Sequence, residues 1–515
     1  MINQKILCLG DNTSAEAWAH KLTKKFAEEN NLTFRGMVTN LEQKIEDGCY
    51  HTGPVSMQPS DIISISKNFN KVVLLNQTQD QFSHNRIFLA MWKLIKDLKI
   101  GGIEVEEKKE IFQYLRDWED LFEKNRNICV LPFTEMHNHN IDGLNLCGRS
   151  MSYPIKEEKK FSDLLEAWSN GTNIKKIRED MLNGKRIDRC TNCHVYEDRD
   201  IRDQRWNYSF DWISRLKIKN VEDLKKIKKP LHYNLRLSNK CNLMCKMCGS
   251  EYSHLIEKET KNIKDPTLKI FLGEKKHHYD ADLEKIDLDN SLSIYLTGGE
   301  PTFNPLVYKF LQRCIDSKKT KLTINIQTNA AKITPKFFSL TKNFTNMTFN
   351  CSVDGVGKIN EYQRWLLNSE VQTKNIINFY KQGHHIHIIH VVSIYNITTI
   401  GDTMHYFDNT FPFASVQLQW ASFKEDILSP YNHPNKNMVF LSLHKAKKSK
   451  CYWHNESGTT VIINDLYNFY KDTNSKANLE KLRKFFWYND SLDSIRGSKL
   501  ADYIPELEEC RKYIK

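Results

Sequence analysis

The chain has 515 residues, of which 40% are hydrophobic and 27% charged, and Lys and Arg exceed Asp and Glu by 75 − 63 = 12. This composition excludes a disordered or fibrous chain and predicts about three or four globular domains. No apolar run approaches the roughly 18 residues of a membrane span, and residues 1–10 lack the pattern of a signal peptide, so we expect a cytoplasmic protein without a membrane partner.

The positive charge and the cysteines narrow the function classes further. The lysines are scattered along helical faces and linkers, which is typical of solvated surface, so we do not expect a nucleic-acid partner. Thirteen cysteines without a secretory signal favour metal binding or catalysis over disulfides. Seven of them form two groups, and the remaining six are interpreted as small buried side chains: Cys8, Cys49, Cys314, Cys351, Cys451 and Cys510.

Residues 1–120 predict a small α/β domain. A strand at KILCLG is followed by a turn that could cap a helix, and a second strand, KVVLLNQ, covers residues 71–77. A helix is expected around residues 86–98. One glycine after a strand is a weak nucleotide-binding signal, so we assign this domain no chemistry.

Residues 121–205 hold the first cysteine group among few regular elements. Its members are Cys129, Cys147, Cys190 and Cys193, and such a set could bind structural zinc or an iron-sulfur cluster. The run MHNHN suggests an HNH nuclease, but nothing around it supports metal-dependent cleavage. A Lys-rich linker is expected at residues 206–230.

Residues 231–430 alternate strands with helices, which predicts βα units around a parallel sheet. Several strands carry apolar residues on one face and polar residues on the other, so we expect an open, partial (β/α)6 barrel with apolar faces under helices and a polar hollow. The catalytic end should be the carboxyl ends of the strands. The six strands are expected at residues 231–237, 291–297, 322–328, 347–353, 385–394 and 415–421.

The second cysteine group lies in the loop after the first of these strands. Cys241, Cys245 and Cys248 are three potential thiolate ligands with no fourth nearby. Thiolates select zinc or iron-sulfur clusters, and a structural zinc would recruit a distant fourth ligand, whereas a four-iron cluster on three thiolates keeps one iron open.

The next strand ends in TGGEP at the same rim. Gly298 and Gly299 would let a ligand approach the backbone, and the carboxylate of Glu300 could hold an ammonium group. This pairing favours the open cluster over zinc.

Both motifs resemble those of the radical S-adenosylmethionine (SAM) enzymes, over residues 231 to about 425. CNLMCKMC is similar to their three-cysteine motif and GGEP to their Gly-Gly-Glu motif. The resemblance implies a 4Fe-4S cluster on Cys241, Cys245 and Cys248 that binds SAM and reductively cleaves it to a 5'-deoxyadenosyl radical, which abstracts hydrogen from a substrate.

The resemblance also implies roles for further residues. Gly298, Gly299 and Glu300 would hold the methionyl amine, and Met247 would pack near the adenine. Asn329 lies at a position near the ligand, with Ala330 in place of the usual glycine. The remaining cofactor-binding candidates, which resemble a motif after the fourth strand, are Ser352, Asp354 and Arg364.

The earlier cysteines resemble an auxiliary-cluster module of the SPASM or twitch kind. In the family this module usually follows the barrel, whereas here it precedes it with a loose first spacing. We therefore keep zinc open, and a histidine could replace one thiolate: His137, His139 or His194.

Two regions receive no chemistry. His385 and His387 share a strand face, and a strand end near polar substrate or solvent explains them better than metal ligation. Residues 431–515 predict an aromatic, helical region that packs against the barrel or a partner.

The resemblance implies a peptide or protein as the leading substrate class, with sugars and nucleotides as alternatives. The expected partners are this substrate and a low-potential electron donor similar to flavodoxin or ferredoxin. A hypothesis of another class is a zinc-stabilised nucleic-acid-binding protein, in which both cysteine groups are structural.

Overall fold

The computed structural model describes six strands as backbone alone within residues 1–126, and most of the chain after that. The described residues beyond 126 are 127–139, 143–148, 150, 161–197, 205, 209, 216, 218, 220–273, 281–421, 426–451 and 459–514. The chain forms two compact units, one of residues 1–134, 149–151 and 175–228, and one of residues 135–148, 152–174 and 229–515. Residues 121–205 are therefore shared between the units, and a separate cysteine-bearing module stays a prediction.

The first unit contains a six-stranded sheet. Its order is β3-β4-β2-β1-β5-β6, and only β3 and β4 pair in the antiparallel sense. The strands predicted at KILCLG and KVVLLNQ are confirmed, while the helices predicted here lie outside the described residues. The strands are Lys5–Gly10 (β1), Thr33–Val38 (β2), Lys44–Glu46 (β3), Cys49–Thr52 (β4), Lys71–Leu75 (β5) and Glu104–Glu106 (β6).

The second unit contains an eight-stranded sheet of order β16-β15-β13-β12-β11-β9-β7-β8. All neighbours are parallel except β7 and β8. Its strands are Glu135–His139 (β7), Gly143–Asn145 (β8), His232–Arg236 (β9), Ser293–Thr297 (β11), Thr323–Thr328 (β12), Met347–Ser352 (β13), His385–Val392 (β15) and Ser415–Trp420 (β16); the pair Met244–Cys245 (β10) and Arg364–Trp365 (β14) forms a separate antiparallel ribbon.

The six strands predicted for the barrel are all present and adjacent, and two further strands extend the sheet beyond β9. Strand β7 joins β9 in parallel and β8 joins β7 as an antiparallel edge. The sequence EMHNH of β7 has no apolar alternation, and β8 has only three residues. Neither strand therefore carries the period-two signal by which strands are recognised.

Helices lie in the connections between the parallel strands. Several begin at a proline preceded by a capping side chain: Asn304 accepts from Leu306 N and Thr334 accepts from Phe337 N. The described helices are Leu131–Thr134 (α1), Phe161–Asn170 (α2), Thr172–Leu182 (α3), Thr191–Glu197 (α4), Val221–Lys225 (α5), His254–Asn262 (α6), Pro266–Leu272 (α7), Pro305–Asp316 (α8), Pro335–Thr341 (α9), Lys358–Gln363 (α10), Ser369–Lys381 (α11), Ile400–Thr410 (α12), Lys436–Ala446 (α13), Thr459–Lys471 (α14), Leu479–Arg496 (α15) and Pro505–Glu508 (α16).

The two faces of the barrel strands differ in burial as the alternation predicts. Residues alternate between buried and half-buried along β9, β12 and β13, with the apolar side chains buried. Phe349 of β13 stacks on Phe379 of α11 with ring centroids 3.8 Å apart, and Phe337 of α9 meets both edge-on. Such pairs contribute about 0.5–1.5 kcal/mol each beyond area burial, and they fix helices on this face.

The C-terminal region is helical and packs on the barrel, as predicted. Aromatic residues of α15 share one apolar core with α6 and α7, and Phe271 contacts Trp487 and Tyr488. Four of the ungrouped cysteines are buried, namely Cys314, Cys351, Cys451 and Cys510, whereas the side chains of Cys8 and Cys49 lie outside the described residues. Within the described residues, every helix is too short or too polar to cross a membrane.

Candidate active site

The three cysteines of the loop after β9 face one another. Cys241 and Cys245 are buried and Cys248 is half-buried, and the thiols of Cys245 and Cys248 hydrogen-bond to each other. Burial, and next the neighbouring Cys245 thiol, raise the pKa of Cys241. The Cys245–Cys248 hydrogen bond lowers the pKa of Cys245 and raises that of Cys248.

The loop is held from one side by the ribbon β10–β14. Cys245 pairs with Arg364 across this ribbon, and Lys246 N donates to Gln363 O at 2.8 Å. Arg364 Nη1 lies 3.9 Å from Cys245 Sγ, and its Nη2 pairs with Asp354 at 2.7 Å. Burial alone would lower the pKa of Arg364, but Asp354 and the two nearest thiols outweigh it and raise that pKa. A fixed cation therefore stands beside the thiols.

Asp354 positions this cation without meeting solvent. Its side chain is fully buried, its Oδ1 accepts from Val391 N at 2.8 Å, and its Oδ2 faces Arg364. Both carboxylate oxygens of Asp354 have protein partners in this arrangement, and its place among the cofactor-binding residues stays a prediction. We therefore interpret Asp354 as a residue that orients Arg364.

Asn329 contacts the cysteine loop directly. Its Nδ2 donates to Asn242 Oδ1 at 2.9 Å and lies 3.9 Å from Cys241 Sγ. Its backbone oxygen accepts from Gln372 at 2.7 Å. The following Ala330 has a φ of +49°, the left-handed region in which glycine is usual, so the substitution of alanine is accommodated at a strained position.

The Gly-Gly turn packs against the backbone that enters the cysteine loop. Gly299 N donates to Ser238 O at 2.6 Å, and Glu300 N donates to Lys240 O at 2.8 Å. A Cβ added to Gly298, whose φ is +121°, would lie 2.9 Å from Leu237 N, and one added to Gly299 would lie 2.4 Å from Lys240 O. The glycines are needed for close approach of two protein segments, and the approach of a ligand to this turn stays a prediction.

Glu300 is buried and accepts four hydrogen bonds from residues at the ends of neighbouring strands. Its Oε1 accepts from Thr302 N at 3.0 Å and from the hydroxyls of Thr302 and Thr328 at 2.7 Å each. Its Oε2 accepts only from Asn329 N, at 2.6 Å, among the described residues. Burial raises the pKa of Glu300, although these donors oppose the rise. Oε2 retains a lone pair for a further donor.

Ser352 lies on the polar face of β13. Its Oγ accepts from Gln327 Nε2 at 2.8 Å, and Gln327 Oε1 accepts from Tyr295 at 2.9 Å. This row joins three neighbouring strands, β11, β12 and β13. Met247, between the second and third cysteines, is half-buried and packs beside the thiols.

The C-terminal helix α15 holds the opposite side of the loop, a feature that sequence reasoning missed. Lys246 is fully buried, its Nζ lies 2.6 Å from Asp493, and it stands 4.0 Å from the centre of the Tyr362 ring. Tyr488 donates to Lys246 O at 2.7 Å, and Arg496 donates to Met244 O at 2.9 Å. Only the aromatic character of KLRKFFWYND signalled this contact.

The other predicted ligands are placed separately. In the first unit, Cys129 and Cys193 are buried, and burial, followed by the Cys190 thiol, raises the pKa of Cys129 to about 12. In the second unit, Cys147 is half-buried in the turn after β8. The structure brings Cys129, Cys190 and Cys193 near one another. Ligation by all four cysteines stays a prediction.

The loop cysteines fit an iron-sulfur cluster better than a single ion. Among the described residues, no three Cys, His, Asp or Glu side chains converge closely enough to hold one metal ion. A four-iron cluster spreads its thiolates over different iron corners. Two buried thiols and one half-buried thiol next to a fixed arginine are compatible with that requirement.

Comparisons with known proteins add partial matches. No family model matches the chain. It is 31% identical over 144 residues to an uncharacterized protein of Methanocaldococcus jannaschii, which is 28% of this chain and 44% of that protein. It is 29% identical over 188 residues to the radical SAM cyclopropyl synthase TigE of Paramaledivibacter caminithermalis, which is 34% of this chain and 36% of that protein. The matched region spans less than half of either relative.

Solved structures show weaker likenesses. Streptococcus suis SuiB bound to S-adenosylmethionine gives a TM-score of 0.30 at 17% identity, over 67% of each chain. The enzyme anSMEcpe with bound AdoMet gives a TM-score of 0.30 at 20% identity, over 42% of this chain and 55% of that chain. These scores support no functional assignment. The chain is thus similar to a radical SAM enzyme over about a third of its length, and it carries the three-cysteine motif at the end of a parallel strand.

Proposed function

We propose that this chain is a radical SAM enzyme that binds a 4Fe-4S cluster on Cys241, Cys245 and Cys248. The single observation that carries the proposal is the convergence of these three thiols at the strand ends, with Arg364 and Asn329 each 3.9 Å from a sulfur. When bound, the cluster and SAM supply a 5'-deoxyadenosyl radical that abstracts hydrogen from the substrate.

The protein residues bind and orient SAM in this proposal. Glu300 Oε2 accepts a hydrogen bond from the methionyl ammonium, because that oxygen has one protein donor. Arg364 faces the carboxylate, and Asp354 keeps the guanidinium in place. Gly298 and Gly299 fix the cysteine loop against β11. Asn329 and Ser352 offer polar contacts, and Met247 offers an apolar one near the adenine.

The substrate class is proposed as a peptide or protein. The resemblance to enzymes with auxiliary clusters supports this class, and cyclopropyl synthesis, the activity in the name of TigE, is the first reaction to test. The polar row of Tyr295, Gln327 and Ser352 also suits a sugar or a nucleotide, which remains the alternative. A flavodoxin- or ferredoxin-like protein is the proposed electron donor.

A second iron-sulfur cluster is proposed on the remaining grouped cysteines. The proximity of Cys129 to Cys190 and Cys193 supports it, and Cys147 is the fourth candidate ligand. His194, buried in the same unit as Cys129, is the histidine best placed to replace a thiolate.

Anaerobic reconstitution tests the proposal. Protein incubated with SAM and a reductant should form 5'-deoxyadenosine, and Cys245→Ala should abolish this product. Colourless protein that holds zinc in place of iron and sulfide would support the zinc-stabilised binding protein. Unchanged 5'-deoxyadenosine formation by Cys245→Ala would contradict the assignment of the thiols.

A further inference from the structure

Four buried polar atoms without a hydrogen-bond partner lie on the two unpredicted strands and on their neighbour β9. They are Glu135 Oε1, His137 Nδ1, Asn145 Oδ1 and Asn234 Oδ1. Glu135, His137 and Asn145 are 5%, 4% and 6% exposed. Glu135 contacts His137 and Asn234 within this cluster, but Asn145 Oδ1 has no donor. Buried polar groups are nearly always paired with protein, water or an ion, so the cluster indicates a bound species.

The strand register places these atoms on one face. His137 of β7 pairs with Asn145 of β8 and with Asn234 of β9. Directly opposite residues project to the same side of a sheet, and Glu135, two residues before His137, shares that side. Glu135 Oε1 lies 3.4 Å from His137 Nδ1. The four side chains therefore lie on one face of the sheet around His137.

We propose that these four residues bind a divalent metal ion. Two ligand atoms at about 2.1 Å from a tetrahedral metal lie about 3.4 Å apart, a geometry that the 3.4 Å between Glu135 and His137 already meets. An imidazole nitrogen, a carboxylate oxygen and two amide oxygens form a mixed donor set of the kind that borderline ions such as Mn²⁺, Fe²⁺ and Zn²⁺ accept. Two of the ligands are asparagines, so the site needs no third acidic, histidine or cysteine side chain.

The surroundings favour an ion over a larger ligand. A Cβ added to Gly148 would lie 3.5 Å from His137 Cε1 and 3.9 Å from Asn234 Nδ2, so the chain passes close over the cluster. His232 supports the second carboxylate oxygen: its Nε2 lies 3.8 Å from Glu135 Oε2, and its Nδ1 is 2.6 Å from Ser293 Oγ. Metal-binding carboxylates commonly have such a neighbour.

The proposed ion would tie the edge strands to the barrel. β7, β8 and β9 each contribute a ligand. β8 has only three residues, and these pair with β7. The site is separate from the proposed radical chemistry, because its residues lie within β7, β8 and β9, whereas the three cysteines lie in the loop after β9. Its test therefore needs neither SAM nor a reductant.

Manganese is the appropriate probe, because Mn²⁺ prefers nitrogen and oxygen ligands and competes poorly for thiolates. Titration of the full-length protein, followed by electron paramagnetic resonance, should show one tightly bound Mn²⁺ per chain with coupling to one imidazole nitrogen. His137→Gln and Glu135→Gln should each weaken binding at least tenfold. His385→Gln, which changes an exposed histidine on β15, should bind as the wild type does.

Thermal unfolding provides a second measurement on the same proteins. Mn²⁺ should raise the melting temperature of the wild type and of His385→Gln. It should barely change the melting temperature of Asn234→Ala, a variant chosen because Asn234 is only half-buried. A wild-type chain that binds no Mn²⁺, or that binds it equally well in the Glu135 and Asn234 variants, overturns the proposal and assigns the position to water. Either result leaves the proposed SAM cleavage to be judged by its own assay.

Discussion

Glu300 shows how one side chain connects two strand ends at the candidate site. Its carboxylate accepts from Thr302, which follows β11, and from Thr328 and Asn329 at the end of β12. Among the described residues, each hydrogen bond to this carboxylate comes from a donor. The position therefore favours a side chain with two acceptor oxygens. A carboxamide at this position would direct an N–H group toward a donor.

Glu300→Gln should therefore weaken SAM binding while the cluster is retained. Charge-assisted hydrogen bonds contribute about 1.5–3 kcal/mol, which corresponds to a loss of about 10- to 100-fold in affinity. Equilibrium dialysis of reconstituted protein with SAM measures the loss, and iron content checks the cluster. Glu284→Gln, at a surface 3-10 turn, is the control. Equal SAM affinity in both variants would remove Glu300 from the binding site.

Gly299→Ala tests the close approach of the turn to the cysteine loop. The new Cβ would lie 2.4 Å from Lys240 O, a backbone atom that cannot rotate away. We expect the loop to shift and iron and sulfide content to fall by more than half. Gly357→Ala is the matched control, since its φ is +53° but no atom lies within 4 Å of the added Cβ. The Gly357→Ala variant should lose about 1 kcal/mol of stability and keep its iron. A normal iron content in Gly299→Ala would show that the loop accommodates the added Cβ.

At the scale of residues, the motifs could be recognised in the sequence. The contacts that explain why these residues are needed could be predicted only in part. The three cysteines and Glu300 occupy the rim that the strand pattern predicted. The packing of Gly298 and Gly299 against the segment that enters the cysteine loop could not be predicted, because a sequence does not reveal which backbone passes above a glycine. The complete burial of Lys246 within the motif was not predicted.

At the scale of elements, the cysteine loop is held between the ribbon β10–β14 and the helix α15. The helix supplies Asp493 and Asn489 to the buried ammonium of Lys246, and Tyr362 binds both side chains of the helix. Burial lowers the pKa of Lys246 to about 8, with Asp493 opposing the shift. A buried charge with one principal counter-ion depends strongly on that partner.

Asp493→Asn should destabilise the second unit by about 3–5 kcal/mol, because it leaves the Lys246 charge buried without its counter-charge. The double variant Lys246→Met with Asp493→Asn should recover most of that loss. Urea denaturation of the cluster-free protein measures both. Glu480→Gln, which breaks the exposed pair with Lys484 on the same helix, should cost less than about 1 kcal/mol. A loss below 1 kcal/mol for Asp493→Asn would show that the pair is not needed.

Elements far apart in sequence were the hardest to predict. The barrel strands alternate every second residue and could be located to within a few residues. The strands β7 and β8 carry polar or very short sequences, and α15 lies 243 residues from Lys246 along the chain. Their contacts depend on long-range packing, for which periodicity gives no signal.

At the scale of the whole molecule, the barrel unit contains buried neutral histidines that should make it sensitive to acid. Burial lowers the pKa of His433 to about 4, and burial, followed by the nearby His385, lowers that of His384 to about 4. His433 is fully buried, and its Nε2 lies 3.7 Å from Cys510 Sγ. His384 is 3% exposed and contacts the edge of Phe349.

Because the folded-state pKa values lie below the unfolded value of about 6.5, the unfolded chain binds more protons between pH 6.5 and pH 4. The stability contributed by the neutral histidines is complete above pH 6.5 and is lost as the pH falls toward 4. For His433 the loss is about 3 kcal/mol, and His384, whose pKa is lowered to the same value, adds a similar amount. His433→Asn should flatten this part of the pH dependence, measured by urea denaturation of cluster-free protein at pH 7, 5.5 and 4.5. Parallel curves for wild type and variant would show that His433 is not buried in its neutral form.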